Sequence, residues 1–251
     1  MLGWWIGAAR GLWHQVAASL AAITLIYAWM VGRRRWTPAS VGFDVRWLRA
    51  MATGVVWGAG LAGVVLVLTV LGGARVVSGP ALAGERYVGG ALMVLVGLGA
   101  AAMVEELLFR GYPLVRLARA AGPIGASLVL TAAFVGMHVP NPGVTWLGLV
   151  NIGLAGLVLS GVFFAGGGLP GAWALHVGWN AGLALAADAP VSGLRFALPA
   201  IDYVPGRVAW WDGGSFGPEG GLAATVLLGG AAWYWMHRVW SAAARTEKVT
   251  A

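Results

Sequence analysis

Seven stretches of this chain are apolar over roughly the 20 residues a helix needs to cross a hydrocarbon core, and they constrain its fold more than any other feature. They run over 11–31, 51–72, 87–109, 123–139, 144–166, 169–187 and 221–240. Their apolarity is continuous rather than alternating, which favours helices over a β-barrel. Only 10% of the 251 residues are charged, against about 25% in a soluble domain. The expectation is an all-α, polytopic transmembrane helical bundle of about seven helices, with six to eight allowed. The fourth and sixth segments are short, which leaves room for one to be broken or tilted. The first reads as a retained helix rather than a secretory signal, because Arg33, Arg34 and Arg35 follow it at once and no small-residue cleavage site intervenes.

The few charges are informative by position. The net charge of +7 comes from arginines at the ends of apolar blocks, a pattern of membrane topology and not of nucleic-acid binding. Lys and Arg number five in the 32–50 loop, three in 110–122 and three at the C-terminal end, eleven in all, against five in the alternate segments. That asymmetry predicts an external N-terminus and a cytoplasmic C-terminus. With fifteen arginines to one lysine, amid abundant Ala and Gly, the composition suggests a bacterial plasma-membrane protein. The chain has no cysteine, which excludes disulfides and thiolate ligands.

Two glycine patterns read as packing devices. Gly58 to Gly63 fits G-x-G-x-x-G, but it lies inside an apolar helix with no preceding strand. Gly54-x-x-x-Gly58 and Gly178-x-x-x-Gly182 instead suit close helix contact. Gly166 to Gly168 reads as a turn. The 188–220 loop carries Asp188, Asp202, Asp212 and Glu219; it reads as a plain interfacial loop, favoured over a lid, with Trp210 and Trp211 at the lipid boundary. His14–Gln15 and His237–Arg238 also read as interfacial, and Asn151 as an interhelical hydrogen bond.

Three polar groups remain within the apolar segments, where each ionisable side chain costs about 2.5–3.5 kcal/mol to insert. In Glu105-Glu106-x-x-x-Arg110, Glu106 and Arg110 lie four residues apart on one helical face and can pair. Glu105 points about 100° away and is left to face a cavity. Phe134-x-x-x-His138 and His176-x-x-x-Asn180 have the same spacing and offer two imidazoles and an amide. An antiparallel hairpin turning at Ala121/Gly122 would bring Glu105 opposite His138, each about 16 residues from the turn. Pro113 cannot donate to the carbonyl of Phe109, so a kink is expected just after Arg110. A lone Glu–Arg pair or a lone His serves equally well as helix glue. Together, a base, an ion pair, two imidazoles and an amide are the parts needed to activate water.

These groups, in this order, resemble the CPBP family of intramembrane proteases, also called the ABI or type II CAAX prenyl protease family. "EELLFRG" (Glu105 to Gly111), "FVGMH" (Phe134 to His138) and "HVGWN" (His176 to Asn180) are similar to its three motifs. The resemblance implies an intramembrane endopeptidase acting on a membrane-associated peptide or protein. Glu105 and His138 would activate water, His176 and Asn180 would stabilise the oxyanion, and Glu106 and Arg110 would support the site. The resemblance covers 87–190 as a catalytic core; hydropathy alone adds two membrane helices in 1–86 and an external loop, last membrane helix and cytoplasmic tail in 191–251. Relatives are often labelled metalloproteases. Zinc on Glu105, His138 and His176 is allowed, yet no cofactor is required, and H-E-x-x-H is absent; glutamate-dependent water activation is the favoured reading. The alternatives are a non-proteolytic transporter or proton relay, which uses similar residues, and a catalytically silent scaffold.

Overall fold

The computed structural model describes residues 20–30, 32–33, 37–41, 43, 46–78, 84–196, 198 and 201–250; His14 and Gln15 lie outside them. Its helices are α1 (Leu20–Met30), α2 (Trp47–Leu71), α3 (Gly84–Arg110), α4 (Tyr112–His138), α5 (Trp146–Val162), α6 (Gly168–Ala187), the single-turn α7 (Ala209–Asp212) and α8 (Leu222–Thr250). Each expected apolar segment therefore overlaps a helix. Three helical runs among the described residues, Trp47–Leu71, Tyr87–His138 and Trp146–Ala187, are long and apolar enough to cross a membrane. The protein is an integral membrane protein, but a count of seven crossings is not confirmed. The described part of the first segment is short, and the last segment lies in a helix whose second half is rich in Trp, Tyr, His and Arg.

The second and third runs span 52 and 42 residues, or about 78 and 63 Å at 1.5 Å per residue, so neither can cross a ~30 Å core once and stay straight. Both are interrupted where the sequence demands it. The second run stops at Gly111, with Pro113 in the opening turn of α4, and kinks again at Gly122 (φ 70°, ψ 166°), ahead of Pro123. A residue before proline is pushed out of the α region, and only glycine takes this positive φ without strain. The kink expected just after Arg110 is present at Gly111, and a second break lies at Gly122, where the hairpin turn was expected. The third run passes through a π-helical turn at Phe163–Gly167, where Gly166 (φ 100°) and Gly168 (φ 57°) supply the bend.

α2 and α6 form the closest pair, and the small-residue stripes explain it. A Cβ on Gly58 would lie 2.1 Å from the carbonyl oxygen of Leu175 and 2.7 Å from the backbone nitrogen of Trp179. A Cβ on Gly178 would lie 2.6 Å from the carbonyl oxygen of Val55. Backbone approach of this kind replaces the hydrophobic drive that lipid does not provide between helices. Gly58→Ala is expected to lower stability in detergent by about 1–3 kcal/mol, as overpacking does. Gly60→Ala, whose Cβ meets open space, should be neutral or stabilising by up to about 1 kcal/mol. Equal thermal shifts for the two variants would refute the close-packing account.

The all-α expectation needs one correction. β1 (Arg75–Ser78) and β2 (Ile201–Val204) pair antiparallel, Arg75 opposite Val204 and Ser78 opposite Ile201. Four-residue strands are too short to show a period-2 pattern, and their pairing is non-local, so neither is visible in the sequence. The ribbon joins the α2–α3 connection to the 188–220 loop. His237 and Arg238 are exposed on α8 among Trp233, Tyr234, Trp235 and Trp240, with the Arg238 guanidinium 5.4 Å from the Trp235 ring centroid, as an interfacial belt requires.

Candidate functional site

α3, α4 and α6 bring the three polar groups together. The Nη1 of Arg110 donates to Glu106 Oε1 at 3.1 Å, and its Nη2 donates to the carbonyl of Gly156 on α5, also at 3.1 Å. Both charged side chains are fully buried. Gly156 leaves the guanidinium room: a Cβ there would stand 3.0 Å from Thr131 Cγ2 and 3.3 Å from Arg110 Nη2. The guanidinium also lies over the Phe134 ring, 4.5 Å from its centroid, a cation–π contact strengthened by desolvation.

The same Glu106 oxygen accepts from His176 Nδ1 at 2.9 Å. His138 Nδ1 donates to the carbonyl of Phe134 at 2.7 Å. An acceptor at each Nδ1 places the proton there and leaves the Nε2 lone pair free. Both Nε2 atoms face Glu105 Oε2, His138 at 3.9 Å and His176 at 3.8 Å. Glu105 keeps 23% side-chain exposure while Glu106 has none. The helical offset of about 100° thus separates the two carboxylates, one locked and one presented. Three acceptors converging at 3.8–3.9 Å share no hydrogen of their own, and a water between them can donate its two O–H groups to Glu105 and to one imidazole.

A zinc ion with bonds of about 2.0–2.1 Å sets neighbouring ligands roughly 3.3 Å apart. Glu105 stands farther than this from both imidazoles. Among the described residues no group of three or more His, Asp or Glu side chains is placed to hold a metal ion, so the zinc set considered from the sequence does not fit as arranged.

Behind the imidazoles is a cavity of about 40 Å³ whose polar lining is His138, His176, Asn180, Asn151, Ser192 and Glu219. That volume holds water but not a peptide. Asn151 makes the interhelical bonds expected of it: Thr225 on α8 donates to its Oδ1 at 2.8 Å. Its Nδ2 also donates to the carbonyls of Glu219 and Gly221, at 2.7 and 2.9 Å. Sequence reasoning missed Ser192 and Glu219, and it took the 188–220 loop as a plain surface connection. In the fold the loop delivers two polar side chains to the site cavity. The available signal was a glutamate between Pro218 and Gly220, just before an apolar helix. Trp210 is exposed as expected, whereas Trp211 turns inward and donates from Nε1 to the carbonyl of Leu68 at 3.0 Å.

The loop begins at Asp188, which ends α6 in the left-handed region (φ 47°). Burial pushes its carboxyl up to about 6; Asp202 adds to the rise, while the backbone N–H of Leu198 and the Arg195 charge oppose it. A raised folded-state value means that the protonated form favours the fold. Its stabilising contribution is complete below about pH 4 and is lost as pH rises through about 6. Asp188→Asn, which tolerates the same backbone, should match wild type near pH 4 and be the more stable protein at pH 7–8. Parallel melting-temperature profiles across pH 4–8 would contradict this.

Helices and site define a class: a polytopic helical membrane protein with a glutamate and two histidines gathered in its interior. Residues 87–182 match the family model for type II CAAX prenyl endopeptidase Rce1-like proteins, so this segment is similar to that family. That segment contains all three motifs and ends just after Asn180. No curated protein and no solved structure gives a significant match.

Proposed function

We propose that this protein is an intramembrane endopeptidase that hydrolyses a peptide bond in a membrane-associated peptide or protein with water activated by Glu105 and His138. The observation that carries this reading is the convergence of two Nε2 lone pairs on the one presented carboxylate. A water held there donates to Glu105 and to an imidazole. Glu105 takes a proton as the water oxygen attacks the scissile carbonyl, and the same proton then passes to the departing amine. Asn180, through its amide N–H, and His176, which takes a second proton from solvent at Nε2 before the attack and keeps it through the step, stabilise the developing oxyanion. In a water-poor cavity such donors contribute about 3–4 kcal/mol each. Glu106 fixes the tautomer and ring plane of His176, and Arg110 balances the charge of Glu106. The family match supports the peptidase class; the distances support Glu105 as the base and treat the two imidazoles alike, so the division of roles between His138, His176 and Asn180 follows the family resemblance. The N-out orientation read from the Lys and Arg distribution sets the 188–220 loop on the external side.

The test compares peptide termini in the membrane proteome of cells carrying wild type or Glu105→Gln. New termini present only with wild type support the peptidase. Identical termini together with an altered ion or proton flux would establish a transporter instead, and no difference of either kind would leave a scaffold.

A further inference from the structure

Glu219 takes no part in the hydrolytic step, yet its carboxylate lines the site cavity with donors on both oxygens. It is 9% exposed. Its Oε1 accepts from the indole N–H of Trp179 at 2.6 Å. Its Oε2 accepts from the backbone N–H of Ser192 and from the Ser192 hydroxyl, the latter at 3.3 Å. The backbone carbonyl of Glu219 accepts from Asn151 Nδ2 on α5. A buried carboxylate with donors on both oxygens is a fixed point, because losing either set strands a charge in a poorly solvated place.

What it fixes is specific. Trp179 precedes Asn180 on α6, three residues after His176, and all three line the same cavity. Ser192 is held at φ 49°, a left-handed conformation that a non-glycine residue adopts at a cost. The Ser192 carbonyl accepts from Asn141 Nδ2 at 3.2 Å, three residues beyond His138. The next residue, Gly193, bonds to the carbonyl of Phe216 and leaves no room for a side chain: a Cβ there would lie 2.0 Å from the carbonyl oxygen of Pro142. One carboxylate therefore ties the helix that presents His176 and Asn180 to the turn that follows His138.

We infer that Glu219 is a positioning residue of the hydrolytic site, a latch through which the 188–220 loop sets the Asn180 amide and the His138 turn in register and closes the water cavity behind the imidazoles. This inference rests on the peptidase reading. Glu219 touches neither substrate nor the attacking water; it acts through Trp179 and Ser192. Replacement by Gln keeps shape and one acceptor but sets an N–H group against a donor, so one of the two ties breaks.

The test uses the full chain purified in detergent and a fluorescence-quenched peptide spanning a cleavage site found in the proteome comparison. Glu219→Gln should lower kcat at least tenfold with KM unchanged. Trp179→Phe, which removes one donor, should lower kcat less, and the double variant should be no worse than Glu219→Gln alone. Hydrogen–deuterium exchange should rise in Glu219→Gln at 190–194 and 214–221 while the centre of α2 stays protected. Loss confined to the fraction of folded protein, with kcat per folded molecule unchanged, would overturn the latch, as would additive effects of the two substitutions. Should Glu219→Gln not fold, Trp179→Phe with unchanged kcat overturns it equally. A peptide cut by wild type and not by Glu105→Gln, but cut at full rate by Glu219→Gln, removes the latch and leaves the peptidase standing. The absence of any Glu105-dependent cleavage removes the peptidase itself.

Discussion

Glu105→Gln is expected to abolish peptide cleavage, with a fall in kcat of about 10²–10⁴-fold, the range a positioned general base contributes, and with little change in stability. Glutamine keeps the volume and one carbonyl acceptor but cannot take a proton. The side chain is partly exposed, and no direct hydrogen bond holds Oε2, so the substitution removes no tie that the fold depends on. Glu105 differs in this from Glu106, which carries both Arg110 and His176 on one oxygen. The measurement pairs initial rates on the quenched peptide with thermal unfolding of the same preparation. A variant that melts as wild type does and still cleaves would show that Glu105 is not the base.

Arg110→Ala should have the largest effect on stability, a loss of about 3–5 kcal/mol. The guanidinium is fully buried, paired with Glu106 and bonded to the Gly156 carbonyl. Truncation leaves the Glu106 charge in the interior with His176 as its remaining partner and opens space beside Phe134. The cost comes from the orphaned partner more than from the lost bond, and this can be checked directly. Glu106→Gln/Arg110→Met removes both charges and fills the volume, so it should recover most of the lost stability. It should not recover activity: Gln can still accept from His176 Nδ1 but cannot stabilise the imidazolium that faces the oxyanion. Unfolding midpoints in a denaturing detergent series for the single and double variants decide the matter. A double variant as unstable as Arg110→Ala would refute the stranded-charge account.

Much of this was legible in the chain because it depends on local spacing. The i, i+4 pairs Glu106–Arg110, Phe134–His138 and His176–Asn180 are fixed by 3.6 residues per turn, and so is the separation of Glu105 from Glu106. The glycine stripes on α2 and α6 declared close contact without naming the partner helix. The breaks at Gly111 and Gly122 each sit at a glycine followed by proline within two residues, although the second alone was expected to reverse the chain. The pairing of β1 with β2 and the inward turn of Glu219, Ser192 and Trp211 were not legible. Each depends on residues far apart in the chain meeting through helices whose packing no local pattern specifies.

The sequence by itself determined that the chain enters a membrane, which helices carry polar groups, and which carboxylate of the Glu105–Glu106 pair is held. Apolar run length and helical period are properties of consecutive residues. Only the tertiary structure decided that both imidazoles turn Nε2 toward Glu105, that Glu106 serves Arg110 and His176 at once, and that a loop glutamate lines the cavity behind them. Those facts are set by how α3, α4, α5 and α6 pack. In lipid, where every helix face is similarly apolar, packing is chosen by close backbone contact and by the burial of a few polar bonds rather than by a hydrophobic stripe.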